Sequence, residues 1–230
     1  MKFASAGGPV RVKICCIATR DEARLAVEAG ASALGLVSAM PSGPGVIPEE
    51  TIRDVAASAP AGVGTFLLTS LTDACEIAEQ VRRCRANTVQ LCDRVPSGTH
   101  ERLREALPGV AIVQVVHVTG EPSIDEAVAA APRADAILLD SGNPALAVKS
   151  LGGTGRVHDW RVSARIREAV APVPLFLAGG LRAENVAEAI AAVRPFGVDV
   201  CSGVRTAGRL DPEKLAAFVA RAASAAGALP

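Results

Sequence analysis

The sequence predicts an α/β protein folded as a single (β/α)8 TIM barrel, and three observations carry that prediction. Short apolar runs alternate with longer Ala-, Glu- and Arg-rich segments of helical spacing at a steady pitch along the 230 residues. Eight such runs fit, at 10–16, 32–38, 62–68, 87–92, 110–118, 135–140, 174–178 and 197–201. Two of them, Val12-Lys13-Ile14-Cys15 and Ala136-Ile137-Leu138-Leu139-Asp140, lead straight into one reactive side chain, as a barrel strand does at the active-site mouth.

The first run is followed by Asp21-Glu22-Ala23-Arg24-Leu25-Ala26-Val27-Glu28-Ala29, a helix with an acidic start that stops at Gly30. After the second run, Pro48 sits where a first helical turn tolerates proline. The middle four runs are likewise separated by longer segments of helical spacing. The last two end in glycine motifs, and Pro212 opens the closing helix. A doubly wound open sheet gives the same alternation. Against it, no Gly-x-Gly-x-x-Gly follows the first strand, and the glycine motifs concentrate in the last third. One domain is expected over residues 1–230, with residues 1–9 a flexible lead.

Half of the residues are hydrophobic but only 3% are aromatic, so the core must be aliphatic. The 24 basic and 24 acidic residues balance, and no basic run or aromatic-basic interleaving occurs, which argues against nucleic acid as a partner. The six cysteines (15, 16, 75, 84, 92 and 201) have no metal-ligand spacing. No secretory signal is read in the first ten residues, and no stretch approaches the roughly 20 apolar residues of a membrane span. A reducing cytoplasm with free thiols is the expected location.

The late glycines suggest an anion site. Leu175-Phe176-Leu177-Ala178 leads into Gly179-Gly180, and Val198-Asp199-Val200-Cys201 leads into Ser202-Gly203. Exposed amides there, with a short extra helix expected near Gly203, would hold a phosphate; a pair of tight turns is the plainer alternative. Gly152-Gly153-Thr154-Gly155 reads either as a loop closing over a ligand or as a connector. Cys15 and Asp140 are the candidate base and acid, against the alternatives of a small buried hydrophobe and a loop cap. Lys13 alternates with Cys15 along one strand face, so it either supports the thiolate or pairs with Asp199 inside the barrel.

Together, Lys13-Ile14-Cys15, Leu138-Leu139-Asp140-Ser141, Gly152-Gly153-Thr154-Gly155 with Asp159-Trp160, Ala178-Gly179-Gly180-Leu181 with Glu184-Asn185-Val186, and Gly197-Val198-Asp199-Val200 with Ser202-Gly203-Val204 resemble the phosphoribosylanthranilate isomerase family of tryptophan biosynthesis. The resemblance runs in order along nearly the whole chain. It implies a cofactor-independent Amadori rearrangement of a phosphorylated ribosylamine, an aldose-ketose isomerisation. Cys15 would be the general base and Asp140 the general acid. The substrate would be held by Lys13, Gly153, Thr154, Gly179, Gly180, Ser202, Gly203 and Arg205. The partner is then a small phosphorylated sugar, and the protein a monomer or homodimer.

Four positions depart from the family pattern. Cys16 stands where a glycine usually follows the cysteine, and strand four closes Gln90-Leu91-Cys92-Asp93 in place of Gln-Leu-His-Gly. Ser-Gly-Val-Glu becomes Ser202-Gly203-Val204-Arg205. After strand two, Pro41-Ser42-Gly43-Pro44-Gly45-Val46 lacks the arginine that grips the anthranilate carboxylate, with Gly45 marking the lost clamp. Losing that contact costs about 1.5 to 3 kcal/mol unless Arg205, Arg94 or His117 replaces it. A paralogous isomerase of another phosphorylated sugar and a non-catalytic phosphate-ligand-binding barrel are the alternatives.

Overall fold

The computed structural model describes residues 3, 9–142, 151, 155 and 157–227. Eight parallel strands close into a barrel in simple order: β1 (Arg11–Ile14), β2 (Ala33–Val37), β3 (Gly64–Thr69), β4 (Thr88–Leu91), β5 (Ala111–His117), β6 (Ala136–Asp140), β7 (Leu175–Leu177) and β8 (Gly197–Val200). Closure is sealed where β1 pairs with β8, with Lys13 opposite Asp199. Seven strands fall within one of the eight apolar runs, and β3 extends past its run by one residue, Thr69. Helices α1 (Arg20–Glu28), α2 (Glu49–Ser58), α3 (Ala74–Cys84), α4 (Thr99–Ala106), α5 (Pro122–Ala130), α6 (Trp160–Ala169), α7 (Val186–Val193) and α8 (Pro212–Gly227) follow the strands in turn.

Helix starts are written in side chains. The Asp73 carboxylate accepts from the amides of Cys75 (2.8 Å) and Glu76 (3.0 Å), and Asp159 accepts from Arg161 at the head of α6. Pro48 is the cap residue of α2, and Pro212 is the first residue of α8.

Alternation along the strands separates two apolar cores. Residues such as Ile14, Leu34, Leu67 and Ile137 face the helices, whereas Phe66, Val113, Val115, Leu138 and Phe176 fill the barrel. The barrel floor uses four of the five phenylalanines: Phe66, Phe176, Phe196 and Phe3 pack mostly edge to face, with Phe3 5.5 Å from Phe176. The Phe3 ring is part of this floor. An aromatic floor at one end leaves the strand C-termini to form the opposite, polar end.

One expected element is replaced. The segment after Gly203 is not a short helix but a hairpin of β9 (Arg205–Thr206) and β10 (Arg209–Leu210). Its turn residues Ala207 and Gly208 both take positive φ, at 49° and 78°, as a tight two-residue turn requires.

Candidate active site

The strand C-termini surround a cleft that is open to solvent, with Cys15, Asp140, Gly179, Gly180 and Ser202 on its wall. Cys15 immediately follows β1, its amide bonded to the Val200 carbonyl at 2.8 Å, and its side chain faces the cleft. Asp140 closes β6 on the same cleft, one oxygen accepting from the Ser141 amide at 2.7 Å. Burial pushes the Asp140 carboxyl above the usual carboxylate range, partly offset by that amide and by nearby His117. The two sequence-predicted proton-transfer residues therefore meet at one site, with Asp140 biased toward holding a proton.

Beneath them lies a buried ion pair. The fully buried Lys13 Nζ is 2.8 Å from Asp199 and sits 5.2 Å from the centre of the Phe66 ring. Burial alone would depress its ammonium, but Asp199, followed by Cys15 and Cys92, holds it above the ordinary lysine range. Both roles considered for Lys13 are thus compatible: it pairs with Asp199 and keeps a fixed positive charge next to Cys15. Lys13 itself does not line the cleft.

Room for this arrangement comes from Gly35, which the sequence reading passed over. A β-carbon there would lie 2.8 Å from the Cys15 sulfur and 3.1 Å from Lys13 Nζ. The signal was a small residue in the interior of an otherwise aliphatic strand, Ala33-Leu34-Gly35-Leu36-Val37. Gly35→Ala is expected to lower kcat by about tenfold or more by displacing the thiol, with KM changed less, in steady-state kinetics. Gln90 and Cys92, at the end of β4, also line the cleft, and polar Gln90 inside an apolar strand was the clue to its inward face.

The residues expected to hold an anion lie on two loops. Gly179 and Gly180 both take left-handed backbone (φ 88° and 61°), and Asn185 braces them, its side chain donating to the Gly180 carbonyl and accepting from the Arg182 amide. Gly203 packs directly on the Leu181 carbonyl, so that a β-carbon there would collide with it. Its primary reason for being glycine is therefore contact between the β7 and β8 loops, and open ligand access is secondary. Gly179, Gly180 and Ser202 line the cleft, and Gly155 approaches Ser202. Gly153 and Thr154 lie outside the described residues.

Arg205 is not in the cleft. Its guanidinium is held by Glu22 (3.0 Å) and donates to the carbonyl oxygens of Cys16 (2.6 Å) and Cys15 (3.3 Å). It supports the backbone of Cys15 and Cys16 from behind the cleft. The other two candidate clamps also have protein partners. Arg94 pairs with Glu126 at 2.6 Å, and the His117 Nε2 donates to the Cys92 carbonyl at 3.0 Å. No lysine or arginine lines the cleft among the described residues. The lost clamp cannot be restored at Gly45 either, because φ is 82° and a β-carbon would lie 2.5 Å from that of Cys16. Instead Met40, Ser42, Gly43 and Pro44 give that wall a neutral surface.

Glu22 ties this region together. Burial opposes its charge, but Arg205 and the amides of Leu210 and Ala18 hold the carboxyl below its usual range. A depressed carboxylate contributes stability above its unfolded-state pKa, lost as pH falls through the lower folded value. Glu22→Gln is therefore expected to be less stable by about 2 kcal/mol at pH 7, with the deficit shrinking below about pH 4, in urea melts at both pH values.

Comparison with known proteins agrees with this geometry. A family model described as "N-(5'phosphoribosyl)anthranilate (PRA) isomerase" matches residues 12–221. The N-(5'-phosphoribosyl)anthranilate isomerase of Methanothrix thermoacetophila is 38% identical, over 93% of this chain and 98% of its own. That of Acidithiobacillus ferrooxidans is also 38% identical, over 92% and 97%. The crystal structure of phosphoribosyl anthranilate isomerase from Thermotoga maritima superposes with a TM-score of 0.80 at 31% identity, covering 93% of this chain and 98% of that one. With the family matched from the first strand to the last helix, this chain belongs to the N-(5'-phosphoribosyl)anthranilate isomerase family.

Proposed function

We propose that the protein isomerises N-(5'-phosphoribosyl)anthranilate to its open-chain ketose in tryptophan biosynthesis. The observation that carries the reading is the convergence of Cys15 and Asp140 on one cleft that ends in the Gly179-Gly180 and Ser202 loops. Protonated Asp140 gives its proton to the furanose ring oxygen while the anilino nitrogen lone pair expels that oxygen, opening the ring as an iminium. The Cys15 thiolate then takes the proton from the second sugar carbon, and the released electron pair flows into the iminium nitrogen to give an enol. The enol becomes the ketose as a proton is added to the first carbon and the hydroxyl on the second carbon gives up its own proton to solvent. The iminium is itself the electron sink, so the two proton-transfer groups suffice for the scheme.

The phosphate is held by loop amides and Ser202, and Lys13 keeps a positive charge close to the Cys15 sulfur. The anthranilate ring lies against Met40, Pro44 and Leu68, with its carboxylate toward the open mouth. Without a guanidinium partner the substrate binds about 10- to 100-fold more weakly than to a relative that has one. All these groups come from one chain, so a monomer is sufficient for activity, whether or not a homodimer forms. The six thiols are free, in keeping with action in the cytoplasm. No helix among the described residues is long and apolar enough to cross a membrane.

Restoring growth without tryptophan to a strain lacking its isomerase tests the reading. Rescue by wild type and failure of Asp140→Asn is the expected pair; failure of wild type at matched soluble expression would contradict it.

A further inference from the structure

Cys16 and Cys201 follow β1 and β8, the two strands that close the barrel, and both line the cleft. Their sulfur atoms are 2.7 Å apart and both thiols are free. The surroundings are shaped to hold them. Cys16 has φ 61°, a conformation that favours glycine, yet it carries a side chain. Opposite it, Gly45 gives up its own side chain, since a β-carbon there would lie 2.9 Å from the Cys16 sulfur. Arg205, fixed by Glu22, grips the Cys16 carbonyl at 2.6 Å from behind. The Cys201 thiol donates to the Cys16 sulfur; that contact and the Arg205 charge hold Cys201 below the usual thiol range, while contact with Cys15 and Cys201 and burial push Cys16 up. The pair thus sets a more acidic Cys201 thiol against a Cys16 thiol that keeps its proton, both on the wall of the cleft and within reach of a small molecule there.

We propose that Cys16 and Cys201 form a dithiol modification site that reacts with low-molecular-weight disulfides to give an intramolecular Cys16–Cys201 disulfide, reversibly slowing the enzyme. The Cys201 thiolate attacks one sulfur of the disulfide RSSR, forming a mixed disulfide and releasing RS⁻. The Cys16 thiol, losing its proton to solvent or to RS⁻, attacks the Cys201 sulfur and expels the second RS⁻. Two protein thiols are oxidised and one RSSR is reduced to two thiols. Bonding draws the sulfurs from 2.7 Å to about 2.05 Å. That tethers the segment carrying Cys15 to the segment carrying Ser202, the base to the anion cradle.

The slowing rests on the isomerase reading; the cross-link does not. The folded, reduced protein is treated with oxidised glutathione, then digested with trypsin and mapped by mass spectrometry. The expected product joins residues 14–20 to residues 183–205 with two thiols lost and no retained glutathione. Isomerase activity should fall at least fivefold in step with it and return with dithiothreitol. Cys201→Ala, or Cys201→Ser if the alanine variant does not fold, should keep most of its own initial activity under the same treatment. Absence of that peptide, full activity despite complete cross-linking, or equally fast inactivation of the Cys201 variant would overturn the proposal. A reduced protein with no isomerase activity that still cross-links would refute the function while retaining the site.

Discussion

Asp140→Asn is expected to lower kcat by at least about 10²-fold, the usual scale of one general acid, while the protein stays folded. The amide matches the carboxyl in shape but has no acidic proton for the ring oxygen. Cys15→Ala should lose a similar amount by removing the base. Neither side chain carries the fold. The Asp140 carboxylate accepts from the amide and hydroxyl of neighbouring Ser141, its carbonyl keeps the Val118 amide in either variant, and Arg205 grips the Cys15 backbone, which the substitution keeps. The melting temperature of both variants should therefore stay within a few degrees of wild type. If a variant loses activity only because it unfolds, the side chain is a packing residue and not part of the mechanism.

The pH dependence has a definite sign. Burial raises the Asp140 carboxyl, and the protonated form is the active acid, so kcat falls as pH climbs through that raised value. The native state also holds this proton more tightly than the unfolded state. The stability it contributes is present at low pH and lost as pH rises through the folded value. Asp140→Asn should thus be at least as stable as wild type at pH 8 while inactive. A less stable Asn variant there would mean that the ionised carboxylate, not the acid, is the form the fold prefers.

Lys13→Met should destabilise the protein by about 3 to 5 kcal/mol, because it leaves the Asp199 carboxylate buried with no countercharge. One oxygen of Asp199 already has no partner, so the ammonium is its principal compensation. The melting temperature should fall by roughly 6 to 20 °C. Lys13→Met with Asp199→Leu should recover most of that loss, since an apolar pair of similar volume often matches a buried ion pair. Activity should not recover, as the thiolate still lacks its cation. Because the Lys13 ammonium is held above the ordinary lysine range, the contribution persists through neutral pH and is lost only in strong alkali. A single variant within about 1 kcal/mol of wild type in urea melts would show that the pair contributes little.

The strands were legible because parallel strands covered by helices carry apolar residues on both faces, as in Ala136-Ile137-Leu138-Leu139. Cys15 and Asp140 stood out for the same reason: each is where such a run stops. Features that depend on a neighbour far along the chain did not show. Arg205 was read as a ligand group because nothing local reveals Glu22, 183 residues away, as its partner. Gly35 looked like one more small strand residue until the Cys15 sulfur was seen to occupy its side-chain space. Gly203 appeared to be an open amide, yet the Leu181 carbonyl of the adjacent loop excludes a side chain. The hairpin after β8 was legible in hindsight, since Ala207-Gly208 lies between two short strand pairs, Arg205–Thr206 and Arg209–Leu210.

The most direct test of the central claim is a steady-state assay of the purified, reduced protein on N-(5'-phosphoribosyl)anthranilate, with ketose formation followed by chromatography and substrate taken to millimolar concentration. The expected result is turnover with a raised KM, and its loss in both Asp140→Asn and Cys15→Ala. No ketose from folded wild-type protein at millimolar substrate would contradict the account and direct the search to other phosphorylated sugars.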